Sequence, residues 1–257
     1  MTFDHEMDVA LRTGRRAGEV ALRYFAQEGA GEQEKEDLSP VTIADTECEK
    51  LITRLLSEEF PEDGIIGEEG AFRSSRSGRR WIIDPIDGTR DFVRRTPFWA
   101  VQIALEADSQ IVLGLIYFPR LEEMFHAVRG AGCFWNDAPT RVSQVNRLER
   151  ALLMINGFAA LWTKTGTDPI RFLTETCWTV RSYSGCYDVT MIARGKADIW
   201  ISGSGREWDY APAKVIAEEC GARFFNMNGN DRIDADNCII CTPGLEPDLR
   251  KVLCAPK

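Results

Sequence analysis

The chain has no apolar run approaching the roughly 18 residues of a spanning helix, and its opening MTFDHEMDVALR lacks a basic segment followed by an apolar one. It therefore reads as a cytoplasmic protein. Basic charge is also short: 31 Lys and Arg stand against 40 Asp and Glu, a formal net charge of -9. Nucleic acids and anionic membranes are read by basic patches, so neither is an expected partner, and a phosphate-bearing ligand would need local help. Histidine occurs only at His5 and His126, neither beside a partner motif, and neither is assigned a catalytic role. The eight cysteines make no paired C-x-x-C array with histidine ligands. The single C-x-x-C, Cys238 and Cys241 in NCIICTP, reads as buried strand residues in a reducing compartment. Internal repeats and low-complexity segments are absent.

The 257 residues are 44% apolar and 28% charged, an ordinary globular composition. Helical spacing of Val9, Ala10, Ala17, Val20, Ala21 and Phe25 predicts a long first helix ending near Gly29 and Gly31. After the polar link GEQEKEDLSP, Thr42 and Asp45 offer capping groups for a second helix with Leu51, Ile52, Leu55, Leu56 and Phe60 on its apolar face. The period then changes. RRWIID, FWAVQIALE, QIVLGLIYFP and EMFHAVRG are short, rich in β-branched and aromatic residues, and predict an antiparallel meander. Beyond about Thr140, ALLMING, TVRSYS and ADIWIS predict strands, alternating with helices in DPIRFLTETC, YDVTMIARG and WDYAPAKVIAEECG. Two halves are expected: 1–140, with a helix pair and an antiparallel sheet, and 141–257, of α/β character.

The segment WIIDPIDGTRDF crowds Asp84, Asp87 and Asp91 around one turn, although like charges raise one another's pKa. Either the turn is a solvated hairpin tip or something positive sits there. Pro85 biases Asp84 towards an extended backbone, while Gly88 can take a positive φ and expose its N–H with that of Thr89. IIGEEG likewise sets Glu68 and Glu69 at the end of an apolar pair. Convergent carboxylates suit a hard divalent ion such as Mg²⁺. In REWDYAPAKVIAEECGA, Asp209 is an N-cap candidate and Pro212 fits the first turn of a helix. Trp99 reads as core, and the pair Arg94 and Arg95 as solvated.

SPVTIAD, GEE at 67–69, WIIDPIDGTRDF and WDYAPAKVIAEECGA, in this order, resemble the four signature regions of the inositol monophosphatase family of metal-dependent, lithium-sensitive phosphatases. The resemblance implies an α+β and α/β fold, a layered αβαβα sandwich, and Mg²⁺-dependent hydrolysis of a phosphomonoester by two or three ions between the halves. It also implies that Glu68, Asp84 and the carbonyl of Ile86 hold one ion and Asp84, Asp87 and Asp209 a second, with a third near Glu68. Thr89 and Asp45 would activate the attacking water, and the N–H groups of Gly88 and Thr89 would hold phosphate oxygens. Asp91 is not among the family's ligands. Family members are commonly dimers, so a homodimer is expected.

The sugar-phosphate members place a glutamate seven residues before the last metal aspartate; here that residue is Ser202. KEDLSPVTIAD, DFVRRTPFWAVQIAL and RSYSGCYDVTMIARGKADIW instead resemble the bacterial histidinol-phosphate phosphatase branch. The last departs from that branch's Gly-Asp-Cys-Tyr-Gly pattern at Ser184, Gly185 and Asp188, which leaves Asp188 or Glu207 to meet a cationic amine or imidazole. Gly185 and Ser202, with Asp87 and Asp209 of the metal set, complete the expected substrate contacts. A non-catalytic regulator of the same fold would show a lost ligand, yet Glu68, Asp84, Asp87 and Asp209 all stand. A Ca²⁺ module would show an Asp-x-Asp-x-Asp-Gly loop, which NGNDRIDADN does not match; that segment reads as a surface turn.

Overall fold

The computed structural model describes residues 3–27, 33–34 and 40–254. Two helices, α1 (Asp4–Phe25) and α2 (Ile43–Glu59), flank a ribbon of β1 (Gln33–Glu34) and β2 (Pro40–Val41). Much of the polar link, and with it the start of the first signature segment, lies outside the described residues. Next comes an eight-stranded sheet of β3 (Gly64–Gly67), β4 (Phe72–Arg73), β5 (Arg80–Asp87), β6 (Ala100–Ala107), β7 (Gln110–Phe118), β8 (Glu123–Val128), β9 (Gly132–Trp135) and β10 (Ala138–Pro139). The short helix α3 (Thr89–Val93) joins β5 to β6. A five-stranded sheet follows, with β11 (Leu152–Asn156), β12 (Thr179–Arg181), β13 (Ile199–Ser202), β14 (Arg223–Phe225) and β15 (Cys238–Cys241). Its helices are α4 (Phe158–Thr165), α5 (Thr167–Thr176), α6 (Gly185–Ala193), α7 (Glu207–Glu219) and α8 (Glu246–Leu253).

β5 through β10 form the expected antiparallel meander, and β3 joins it parallel to β5, in register Gly67 to Ile83. Three apolar clusters separate five layers. Val9, Ala17, Ile52 and Leu56 of α1 and α2 pack on Trp81, Ile83, Val101 and Leu115. On the other face of that sheet, Ile82, Ala104 and Ile116 meet Val189 and Ile192 of α6 and Ala211 and Val215 of α7, which in turn cover Met154, Trp200 and Ile240. Leu161, Leu173 and Leu249 of α4, α5 and α8 cover the far face, on Leu153, Ile201 and Ile239. The order is αβαβα, because each strand alternates its side chains between two covered faces. Cys238 and Cys241 fall on opposite faces of β15, in different clusters, so this C-x-x-C converges on nothing. All eight cysteines are free thiols.

Two local expectations change. Asp209 is not the N-cap: α7 starts at Glu207, because Arg206 supplies the extended capping residue, and Asp209 is the third helical residue and accepts the Arg206 N–H at 2.5 Å. Pro212 therefore lies inside the helix, where its missing N–H deprives the Trp208 carbonyl of a partner. α4 was not anticipated: FAALWTKT follows Gly157, whose positive φ turns the chain out of β11. Among the described residues no helix is long and apolar enough to cross a membrane.

Candidate active site

The site gathers at one end of β5. Ile83 and Ile86, three residues apart, belong to the same apolar cluster, although strand alternation would put them on opposite faces. A register shift between Asp84 and Asp87, at Pro85, resets the alternation. Asp84 and Asp87 consequently both face the layer that holds α7. There Asp209 completes a cluster in which one ligand atom from each of the three carboxylates lies within 4.8 Å of the others. α7 reaches this position by crossing β7 at Gly114, where a Cβ would stand 2.5 Å from Val215 Cγ1.

Glu68 directly follows β3 beside Asp84, its N–H donating to the Ile83 carbonyl at 3.2 Å. It lies outside the tight trio of carboxylates, but its charge is the strongest neighbouring influence on Asp84. Asp84 is 1% exposed, and burial, then repulsion from Glu68, Asp87 and Asp209, pushes its pKa well above the carboxylate range. Burial first, then repulsion from Asp87 and Glu68, raises Asp209 strongly; burial first, then repulsion from Glu68 and Asp91, raises Asp87 to about 6 against hydrogen bonds with Cys186 that lower it. Asp84 Oδ1 accepts the Ile86 N–H at 3.0 Å, whereas the buried Oδ2 has no hydrogen-bond partner. An orphaned buried carboxylate oxygen amid mutually repelling anions fits a divalent cation, and the all-oxygen donor set fits a hard one. The opening alternative of a solvated hairpin tip is thereby set aside for Asp84. Asp91 is half-buried and takes the Thr96 hydroxyl, outside the cluster.

Gly88, at φ 87°, caps α3 and turns the chain; a Cβ there would meet the Phe98 carbonyl at 2.9 Å. The N–H groups of Gly88 and Thr89 thus open the first turn of α3, where backbone donors lack helical partners. Thr89 Oγ1 reaches the Ile86 carbonyl at 3.2 Å and Asp45 Oδ1 at 3.4 Å. Asp45 is fully buried at the third position of α2, where Thr42 donates to it through its N–H at 2.8 Å and its hydroxyl at 2.5 Å. Burial nevertheless raises Asp45 to about 7.

The remaining expected contacts scatter. Gly185 opens α6, whose capping Ser184 approaches the Gly88 turn. Asp188 is fully buried at the start of α6 and accepts the Tyr183 N–H at 3.2 Å. Ser202 is buried against Tyr210 Oη and the Ser204 carbonyl, both at 3.0 Å. Glu207 pairs with Arg80 at 2.9 Å on the wall of a cleft of about 860 Å³ that also takes in Glu68, Arg90, Arg206 and Asp209. NGNDRIDADN, expected to be an idle surface turn, supplies Asp234 and Asp236 to that wall. Asp236 is fixed there by Lys164 at 2.9 Å and the Gly205 N–H at 3.3 Å. No sequence period announces this, since the segment is irregular. Trp99 is core, fully buried against Phe25 and Phe92, and Arg95 lies over the Phe25 ring. His126 stacks on Phe134, and burial lowers its pKa.

Residues 4–255 match the inositol monophosphatase family. A histidinol-phosphatase of Chlorobaculum parvum is 36% identical over 228 residues, covering 89% of this chain and 88% of that protein. An inositol monophosphatase of Mesembryanthemum crystallinum is 32% identical over 247 residues, 90% of this chain and 91% of that protein. The crystal structure of the extragenic suppressor protein suhB from Bartonella henselae superposes with a TM-score of 0.89 at 28% identity, covering 97% of this chain and 98% of that one. With a match of that extent and the acidic cluster assembled where two signature segments meet, the chain belongs to the inositol monophosphatase family and is a phosphatase.

Proposed function

We propose that the protein hydrolyses L-histidinol phosphate to L-histidinol and phosphate in a Mg²⁺-dependent reaction, as a cytoplasmic homodimer. The observation that carries the substrate is the run of relatives named histidinol-phosphatase at 34–36% identity, against 30–32% for those named inositol monophosphatase. Ser202 supports it, because it offers only a buried, already bonded hydroxyl where a polyol-binding glutamate would stand. Glu207, which lines the cleft, is the carboxylate we assign to the substrate's cationic end.

Glu68, Asp84, the Ile86 carbonyl, Asp87 and Asp209 would hold two or three Mg²⁺ ions. These supply Lewis-acid stabilisation of the phosphoryl oxygens and ease deprotonation of the attacking water. The chain's own groups then divide the remaining work. Thr89 Oγ1 stands between the Ile86 carbonyl and Asp45, so it can take a proton from water while passing its own to Asp45 Oδ1. The Gly88 and Thr89 N–H groups hold phosphate oxygens. Phosphate release from histidinol phosphate and from inositol 1-phosphate, side by side at equal enzyme and Mg²⁺, tests the assignment. A kcat/KM at least about tenfold higher for histidinol phosphate is expected, equivalent to ~1.4 kcal/mol of preference. The reverse preference would leave the phosphatase chemistry standing and make the enzyme an inositol monophosphatase.

A further inference from the structure

Glu49 belongs to none of the signature segments and reaches no part of the cleft, yet it is a carboxylate only 5% exposed, on the core side of α2. Burying a carboxylate is costly unless its oxygens are bonded. Both of its oxygens are spent on one turn: Oε2 accepts the Glu69 N–H at 2.8 Å and Oε1 the Ala71 N–H at 2.7 Å. That turn carries Glu68 from β3 to the site. It is tied on its other side by the Glu68 N–H to the Ile83 carbonyl and by the Gly67 N–H to the Ala71 carbonyl at 2.8 Å. Gly67 makes the approach possible, because a Cβ there would stand 2.3 Å from Glu49 Oε2. Glu49 also lies one helical turn after Asp45, so a single face of α2 serves both.

We infer that Glu49 is a positioning residue, whose carboxylate fixes the 67–71 turn and thereby presents Glu68 to the cation cluster. The inference rests on the reading of Glu68 as a metal ligand. Charge-assisted bonds to two backbone donors are the strong kind, and a carboxylate fits them where an amide, with one donor edge, cannot.

The test is calorimetric titration of Mg²⁺ into metal-free wild-type, Glu49→Gln and Glu68→Gln proteins, alongside Mg²⁺ activation curves. For Glu49→Gln we expect Mg²⁺ binding and the activating Mg²⁺ concentration to weaken together by about tenfold or more, the range found for partners that orient metal ligands. Turnover at saturating Mg²⁺ stays within about twofold of wild type, since the residue touches no reacting atom. Wild-type Mg²⁺ affinity in Glu49→Gln with weakened affinity in Glu68→Gln overturns the role of Glu49 alone. Wild-type affinity in Glu68→Gln overturns the ligand reading and the inference with it. Should Glu49→Gln fail to fold, Gly67→Ala, which crowds the same carboxylate, is expected to weaken Mg²⁺ in the same way. Hydrogen exchange on the wild-type protein adds a check that needs no variant: unprotected Glu69 and Ala71 amides would overturn the clamp.

Discussion

Asp87 shows how much one carboxylate is asked to do. It is held beside Asp84 and Asp209, and burial raises its pKa to about 6, a cost that a bound cation would offset. Asp87→Asn keeps the volume and removes the charge. We expect it to fold normally and to lower turnover by at least about 100-fold, since even groups that merely orient metal ligands are worth ~10–100-fold. Steady-state phosphate release at saturating Mg²⁺ checks this, and near-wild-type turnover would remove Asp87 from the ligand set. At this scale the residue types were legible and their partners were not. Asp188 accepts the Tyr183 N–H, and Glu49, outside every signature segment, accepts the Glu69 N–H on the turn that carries Glu68. Hydrogen bonds to backbone donors far along the chain leave no trace in spacing.

Among elements, α2 is the one whose start matters most. Its capping residue, Thr42, accepts the Asp45 N–H at 3.4 Å and returns its hydroxyl to Asp45 Oδ2. Thr42→Ala is expected to cost about 1 kcal/mol of stability, the usual worth of such a cap, and to lower turnover by freeing Asp45. Thr42→Ser should restore both. Urea denaturation and steady-state assays on the pair measure this, and an Ala variant with wild-type turnover would separate the cap from the chemistry. α6 starts two residues before YDVTMIARG and α7 one residue before WDYAPAKVIAEECG, because Ser184 and Arg206, not the first periodic residues, take the extended capping conformation.

Across the whole molecule, the inner apolar cluster draws on both sheets and on α6 and α7, so we propose that the halves 1–140 and 141–257 unfold together. Metal-free protein also carries a pH dependence of defined sign. The raised carboxylates retain protons in the folded state after the unfolded chain has lost them at its ordinary pKa of 3.8. Their stabilising contribution is therefore present below that value and is lost as pH rises through about 6 for Asp87 and about 7 for Asp45. The melting temperature after chelator treatment should fall between about pH 4 and pH 7 and level off above, and Mg²⁺ should recover it at the upper end. At 100 times its Kd, the ion would add about 2.7 kcal/mol. Thermal melts with and without Mg²⁺ decide; no recovery at the upper pH would mean that the cluster is not a cation site.

The sequence by itself determined the periods, and with them the helix pair, the meander and the alternating second half, because burial on one helix face or two strand faces must be written locally. It also determined the chemistry of WIIDPIDGTRDF, since Pro85 and Gly88 act through their own backbones. Only the tertiary structure decided which carboxylates meet. The register shift between Asp84 and Asp87 turns both to one face, the bare Cα of Gly114 lets α7 deliver Asp209, and the irregular segment carrying Asp234 and Asp236 lines the cleft. Those are distances between segments far apart in the chain, and they are set by packing.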